Sequence, residues 1–115
     1  MSEKTSYKIL VAEDDTFQRH ALLDLLTMCG YEAITVENGK QAMEQLKNEL
    51  NEFDLVLLDL YMPEMDGFEV LTHMQEDERL QLIPIVVMSS TESNDIISNC
   101  LKMGALNYLV KPIRI

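Results

Sequence analysis

Five short apolar strings alternate along this chain with longer amphipathic stretches, and that alternation limits what it can fold into more than any other feature. The strings are Tyr7–Ala12, Glu32–Val36, Asp54–Leu58, Ile85–Met88 and Asn107–Val110. The first, third and fourth contain Ile-Leu-Val-Ala, Leu-Val-Leu-Leu and Ile-Val-Val-Met. These are near-continuous apolar runs, as expected of parallel strands buried on both faces. Between the strings, Phe17, Ala21, Leu22, Leu25, Leu26 and Met28 recur at helical spacing, with Gly30 as a C-terminal stop. Asn38 is placed to cap a second helix, with Gln41 three residues on and Ala42, Met43 and Leu46 as its inner stripe. Phe68, Leu71 and Met74 predict a third helix; Ile96, Ile97, Cys100, Leu101 and Met103 predict a fourth, ended by Gly104. Strict βα alternation implies right-handed crossovers and a parallel sheet with helices on both faces, an α/β fold.

The 115 residues make one domain, 1–115, with no internal repeat or linker, and 47% hydrophobic content supplies a core. Nine basic residues against twenty acidic ones give a formal charge of −11. A surface of that sign repels nucleic acid phosphate and suits basic partners or a cation held among carboxylates, although much of the charge is accounted for as solvated helix surface. Cys29 and Cys100 lack metal-ligand spacing and read as reduced thiols. The polar start carries no secretory signal, and no apolar run approaches the roughly 18 residues of a membrane span. The expectation is a cytoplasmic protein, or a nuclear one in a eukaryote, with no membrane contact. His20 and His73 fall within helical stretches as ordinary helix residues, and the methionines are gap-filling core except Met62, which lies in a loop.

In open α/β sheets, ligands bind beyond the carboxyl ends of the strands. Glu13, Asp14 and Asp15 follow the first string, Asp59 the third, Ser89 and Ser90 the fourth, and Lys111 with Pro112 the fifth. Carboxylates gathered on one rim raise one another's pKa unless a cation sits among them. Hard oxygen donors with incomplete protein coordination favour Mg²⁺. A carboxylate beside such an ion can attack phosphorus and form an aspartyl phosphate, with the metal and a lysine neutralising the transferring oxygens. A serine hydroxyl there can donate to the new phosphoryl group and report it to the following loop.

The runs Ile9-Leu10-Val11-Ala12-Glu13-Asp14-Asp15, Asp59-Leu60-Tyr61-Met62-Pro63-Glu64-Met65-Asp66-Gly67, Ser89-Ser90 and Lys111-Pro112 resemble, in order and spacing, the receiver domains of two-component response regulators. The similarity covers essentially the whole chain. It implies a flavodoxin-like, doubly wound, five-stranded parallel sheet of order 2-1-3-4-5. It also implies that Asp59 is the phosphoacceptor, served by a histidine kinase or a histidine phosphotransfer protein. By the same resemblance Glu13 and Asp14 hold Mg²⁺, Asp14 directly and Glu13 through water, and the backbone carbonyl of Tyr61 completes the protein ligands beside Asp59. Asp15 falls just outside the pair. Ser89 takes the switch-hydroxyl position, Lys111 that of the phosphate-pairing lysine, and Tyr108 that of an aromatic ring that moves with the switch. The Lys111–Pro112 bond is expected to be cis. A downstream effector domain or protein would read the face of the fourth helix and fifth strand.

From Cys100 to Arg114 the chain is also similar to the pseudo-response regulators of plants, which lack the acceptor aspartate present here as Asp59. A fifth helix should follow the last strand, yet the sequence stops at Ile115. The expectation is a receiver cut before that helix or taken from a longer protein, with an apolar face left open to self-association. Two other functions compete with this reading. One is a phosphate-independent interaction domain that keeps the fold. The other is an aspartyl-phosphate phosphohydrolase, disfavoured because Glu13-Asp14-Asp15 is not an Asp-x-Asp nucleophile motif and no cap domain fits. The favoured function is a switch that catalyses its own phosphorylation and dephosphorylation, not an enzyme acting on other molecules.

Overall fold

A computed structural model describes residues 6–113. Arg114, part of the plant-type resemblance, lies outside the described residues together with Ile115 and residues 1–5. The elements run β1 (Lys8–Ala12), α1 (Thr16–Met28), β2 (Glu32–Val36), α2 (Gly39–Lys47), β3 (Leu55–Asp59), α3 (Gly67–Gln75), a 3₁₀ turn (Leu80–Leu82), β4 (Ile85–Ser89), α4 (Asn94–Lys102) and β5 (Asn107–Val110). The five strands form one parallel sheet in the order β2-β1-β3-β4-β5, the flavodoxin-like topology expected. Among the described residues no helix follows β5.

Local chemistry sets the helix ends. The side chains of Asp15, Asn38, Asp66 and Ser93 accept from the backbone N–H groups of Gln18, Gln41, Glu69 and Ile96, starting α1 to α4 in turn. The Gln41 side chain reaches back to the N–H of Glu37, one residue before the Asn38 cap, so the reciprocal bond falls one position earlier than in a regular capping box. Gly30 and Gly104 take φ of 89° and 104° after α1 and α4. In each case the next residue, Tyr31 or Ala105, donates back to the last turn, at Leu26 or Cys100.

Burial separates the strands as their sequences do. In β1, β3 and β4 four of the five positions are fully buried, whereas β2 and β5 form the half-exposed edges. One sheet face presents Leu10, Val56, Leu58, Ile85 and Val87 to the inner sides of α2, α3 and α4. The other presents Ile9, Val11, Leu57 and Met88 to α1 alone, with Ile113 packed beside them. A groove of about 690 Å³ opens on that thinner side, between α1 and the segment after β5, lined by Phe17, Leu25, Pro112 and Ile113 among others. No helix among the described residues is long and apolar enough to cross a membrane.

One close approach ties the layers near the carboxyl end of the sheet. The N–H of Gly39, first in α2, donates to the Met65 carbonyl in the β3–α3 loop at 3.0 Å. A Cβ at Gly39 would run into that carbonyl group. Gly39→Ala is therefore expected to lower the unfolding free energy by about 1–3 kcal/mol, as overpacking does. Urea unfolding of the two proteins measures it, and equal stability would show that the loops can part freely.

Candidate functional site

Parallel pairing brings the strand ends to one rim. Asp59 and Ser89 are the last residues of β3 and β4, one step inside the ladder rather than just beyond it. The pairing of Ser89 with Val110 places Lys111 one residue past β5, where its N–H still donates to the Ser89 carbonyl at 2.9 Å. Glu13 follows β1 directly and is held by its own N–H to the Val36 carbonyl at 3.1 Å. The Lys111–Pro112 peptide is cis.

Glu13, Asp14 and Asp59 each bring a carboxylate oxygen to within 4.8 Å of the others. Glu13 is 0% exposed and Asp59 4%, while Asp14 is open to solvent. The Lys111 ammonium donates to Glu13 Oε1 at 2.6 Å and to Asp59 Oδ2 at 3.3 Å. The second Glu13 oxygen accepts from the Asp15 N–H at 3.2 Å, and Asp59 Oδ1 accepts weakly from the Tyr61 N–H at 3.4 Å. Asp15 itself turns away to cap α1.

Burial and the neighbouring Glu13 carboxylate push the Asp59 carboxyl up to about 7, outweighing the attraction of Lys111. For Glu13 burial acts in the same upward direction, but hydrogen bonds from Asp59 and Lys111 prevail and hold it below its ordinary value. Desolvation alone would depress Lys111, yet its bond to Glu13 and the Asp59 charge raise it. The site thus concentrates negative charge, and an Asp59 carboxyl raised to about 7 keeps its proton more readily than an ordinary aspartate. Three carboxylates converging with oxygen donors only form a cluster able to coordinate a divalent cation.

The switch candidates lie next to this cluster. Ser89 is buried, and its Oγ accepts from the Thr91 N–H at 3.2 Å. Tyr108 is also buried, and its hydroxyl donates to the Thr91 carbonyl at 2.9 Å. Thr91 therefore connects the two side chains. Tyr61 stands at the mouth of the site, 53% exposed, its ring edge-on to Phe68 at 6.3 Å between centroids. His20 and His73 are exposed helix residues. Gly67 passes so close behind the Asp59 backbone that a Cβ would meet the Asp59 carbonyl oxygen.

Sequence reasoning missed Arg19. It is 7% exposed, and its guanidinium donates to the carbonyls of Glu13 at 3.0 Å and Asp14 at 3.3 Å. Its other arm reaches Thr16 Oγ1 and Glu37 Oε1, each at 3.4 Å. The signal was present: Arg19 stands three residues before Leu22 and seven before Leu26, on the inner stripe of α1, where a charged residue needs partners.

Comparison with known proteins identifies the family. Residues 9–115 match the family model described as the response regulator receiver domain. The two-component response regulator-like protein PRR37 of Oryza sativa subsp. indica is 37% identical over 112 residues, 97% of this chain but 15% of its own length. The chain thus spans about one seventh of that curated relative. Among solved structures, the phosphorylated cyanobacterial phytochrome response regulator RcpA superposes with a TM-score of 0.87 at 30% identity, over 95% of this chain and 83% of that one. The Mn²⁺-bound form of response regulator Rcp1 gives 0.84 at 28% identity, over 95% and 84%. With its sheet order, its acidic rim and its motif run all in place, this chain belongs to the response regulator receiver domains, the non-catalytic signalling switches of two-component systems.

Proposed function

We propose that the chain is a phosphoacceptor switch that takes a phosphoryl group on Asp59 in a Mg²⁺-dependent reaction and changes partner binding through the Ser89 and Tyr108 face. The observation that carries this is the convergence of Glu13, Asp14 and Asp59 within 4.8 Å, with the Lys111 ammonium on two of the three. Asp14, Asp59 and the Tyr61 carbonyl would hold Mg²⁺, with Glu13 acting at one remove. That ion would supply charge neutralisation to the transferring phosphoryl oxygens. The phosphorylated state of RcpA and the Mn²⁺-bound state of Rcp1 suit the same assignment.

The chain's own residues then have distinct tasks. The ionised Asp59 carboxylate attacks phosphorus, the bond from phosphorus to the donor's histidine nitrogen breaks, and its electron pair leaves with the imidazole. Lys111 offsets charge on a phosphoryl oxygen. The Ser89 hydroxyl donates to another while its Oγ can still accept from the Thr91 N–H, so the phosphoryl group becomes linked to the segment that Tyr108 also grips. The donor would be a histidine kinase or histidine phosphotransfer protein. The reader would be a downstream effector, either within a longer parent protein or separate, which selects one of the two loop arrangements.

Three measurements test this. Incubation with Mg²⁺ and a small phosphodonor should add one phosphoryl group per chain by intact-mass spectrometry, and Asp59→Asn should abolish it. A protein left unmodified by every donor would instead favour a phosphate-independent interaction domain. The second concerns acidity. Because Asp59 holds its proton up to about 7, a cation must displace that proton below this pH and need not above it. Apparent Mg²⁺ affinity should therefore rise roughly tenfold per pH unit on the acid side and level off above neutrality. The slope should flatten in Asp59→Asn, and a pH-independent affinity in the parent would show that Asp59 is already ionised. The third concerns lifetime. Tyr61 flanks the approach to Asp59, so Tyr61→Asn should speed dephosphorylation by about tenfold, about 1.4 kcal/mol of barrier. Slower or equal loss of the label would refute the steric argument.

A further inference from the structure

We propose that Arg19 is a positioning residue for the cation site, the brace that fixes the Glu13–Asp14 backbone so that both carboxylates face Asp59. The inference rests on the metal reading of the acidic cluster and assigns to it a residue outside the ligand set. Arg19 is almost fully buried, and none of its contacts is with the Asp59 or Lys111 side chains. One nitrogen of its guanidinium instead spans two consecutive carbonyls, those of Glu13 and Asp14. Those carbonyls lie between the end of β1 and the Asp15 cap of α1, where neither strand nor helix supplies them with donors. The second nitrogen anchors the fork to Thr16 and to Glu37 in the β2–α2 loop.

The placement is costly as helix chemistry. Arg19 lies in the second turn of α1, near the positive end of the helix dipole, where a cation is disfavoured. It occupies a position on the inner stripe that an aliphatic residue would fill without desolvating a charge. A planar fork with several donors in fixed directions can bridge two carbonyls and two side-chain oxygens together, and an ammonium cannot. With the backbone held, Glu13 keeps its short bond to Lys111 and the solvent-exposed Asp14 keeps a carboxylate oxygen within 4.8 Å of the other two carboxylates. Partners that orient metal ligands from behind are worth roughly 10–100-fold in metal affinity.

Charge and position make opposite forecasts, which makes the inference testable. As a mere positive charge near the site, Arg19 repels a cation, so Arg19→Met would tighten Mg²⁺ binding and Arg19→Lys would leave it unchanged. As a brace, Arg19 helps the cation, so both variants should weaken Mg²⁺ roughly tenfold or more, the lysine included although it keeps the charge. The experiment is calorimetric titration of the full chain with MgCl₂, alongside thermal unfolding in EDTA to record the stability of the metal-free protein. If Arg19→Met does not fold, Arg19→Lys decides alone. Parental affinity in a folded Arg19→Lys, whatever its melting temperature, overturns the proposal and leaves the metal site standing. Failure of the parent protein itself to bind Mg²⁺ removes the metal reading, and the proposal with it.

Discussion

The ammonium of Lys111 lies between two carboxylates that the fold has taken out of water, 2.6 Å from Glu13 Oε1 and 3.3 Å from Asp59 Oδ2. Burying Glu13 and Asp59 side by side without a cation would cost several kcal/mol per charge. Lys111 offsets part of that cost, and the remainder pushes the Asp59 carboxyl above its ordinary value. The partners are 98 and 52 residues apart in the chain, so the cluster exists only when the whole sheet is assembled. The backbone bond from the Lys111 N–H to the Ser89 carbonyl extends the β4–β5 ladder by one rung, and that rung positions the ammonium. Sheet register and site electrostatics are thus one constraint.

The sheet could be read from the sequence because its three inner strands are buried on both faces and leave no room for polar residues until the chain emerges at the rim. That is why Asp59 and Ser89 stood out as the residues closing apolar strings. Strand ends were off by one: β3 and β4 include Asp59 and Ser89, because backbone pairing to Met88 and Val110 continues through them whatever their side chains. Strand order and the roles at the rim came from motif resemblance, since apolar periodicity does not distinguish one parallel order from another. Arg19 was overlooked for a different reason. Its position on the inner stripe was legible, but its two nearest partners are main-chain carbonyls, which every residue has, so no pattern of side-chain types marked out what it holds.

The two sheet faces are covered unequally. Among the described residues three helices pack on one and α1 on the other, with Ile113 reaching over from the segment after β5. The acidic loop leads into that single helix, and Arg19 ties the helix back to the loop. The acidic cluster therefore sits at the start of α1, where loop geometry depends on specific polar contacts such as those of Arg19. A buried guanidinium is a reasonable element in such a place, because its directional bonds supply the order that packing does not.

Around Asp59 the two flanking loops differ in how firmly they are held. The β3–α3 loop is pinned at both ends: the Gly67 N–H donates to the Leu60 carbonyl at 2.8 Å, and the Met65 carbonyl accepts from Gly39 at 3.0 Å. Glycine at 67 lets α3 begin directly against the Asp59 backbone, so this side has little room to yield. The β4–α4 side is held by side chains. Ser89 and Tyr108 each make one hydrogen bond to Thr91, which can be exchanged without breaking the sheet. A group added to Asp59 would push against main-chain bonds and missing Cβ space on one side and against single hydroxyl bonds on the other. The β4–α4 loop and Tyr108 on β5 are thus held by fewer main-chain bonds than the β3–α3 loop on the other side of Asp59.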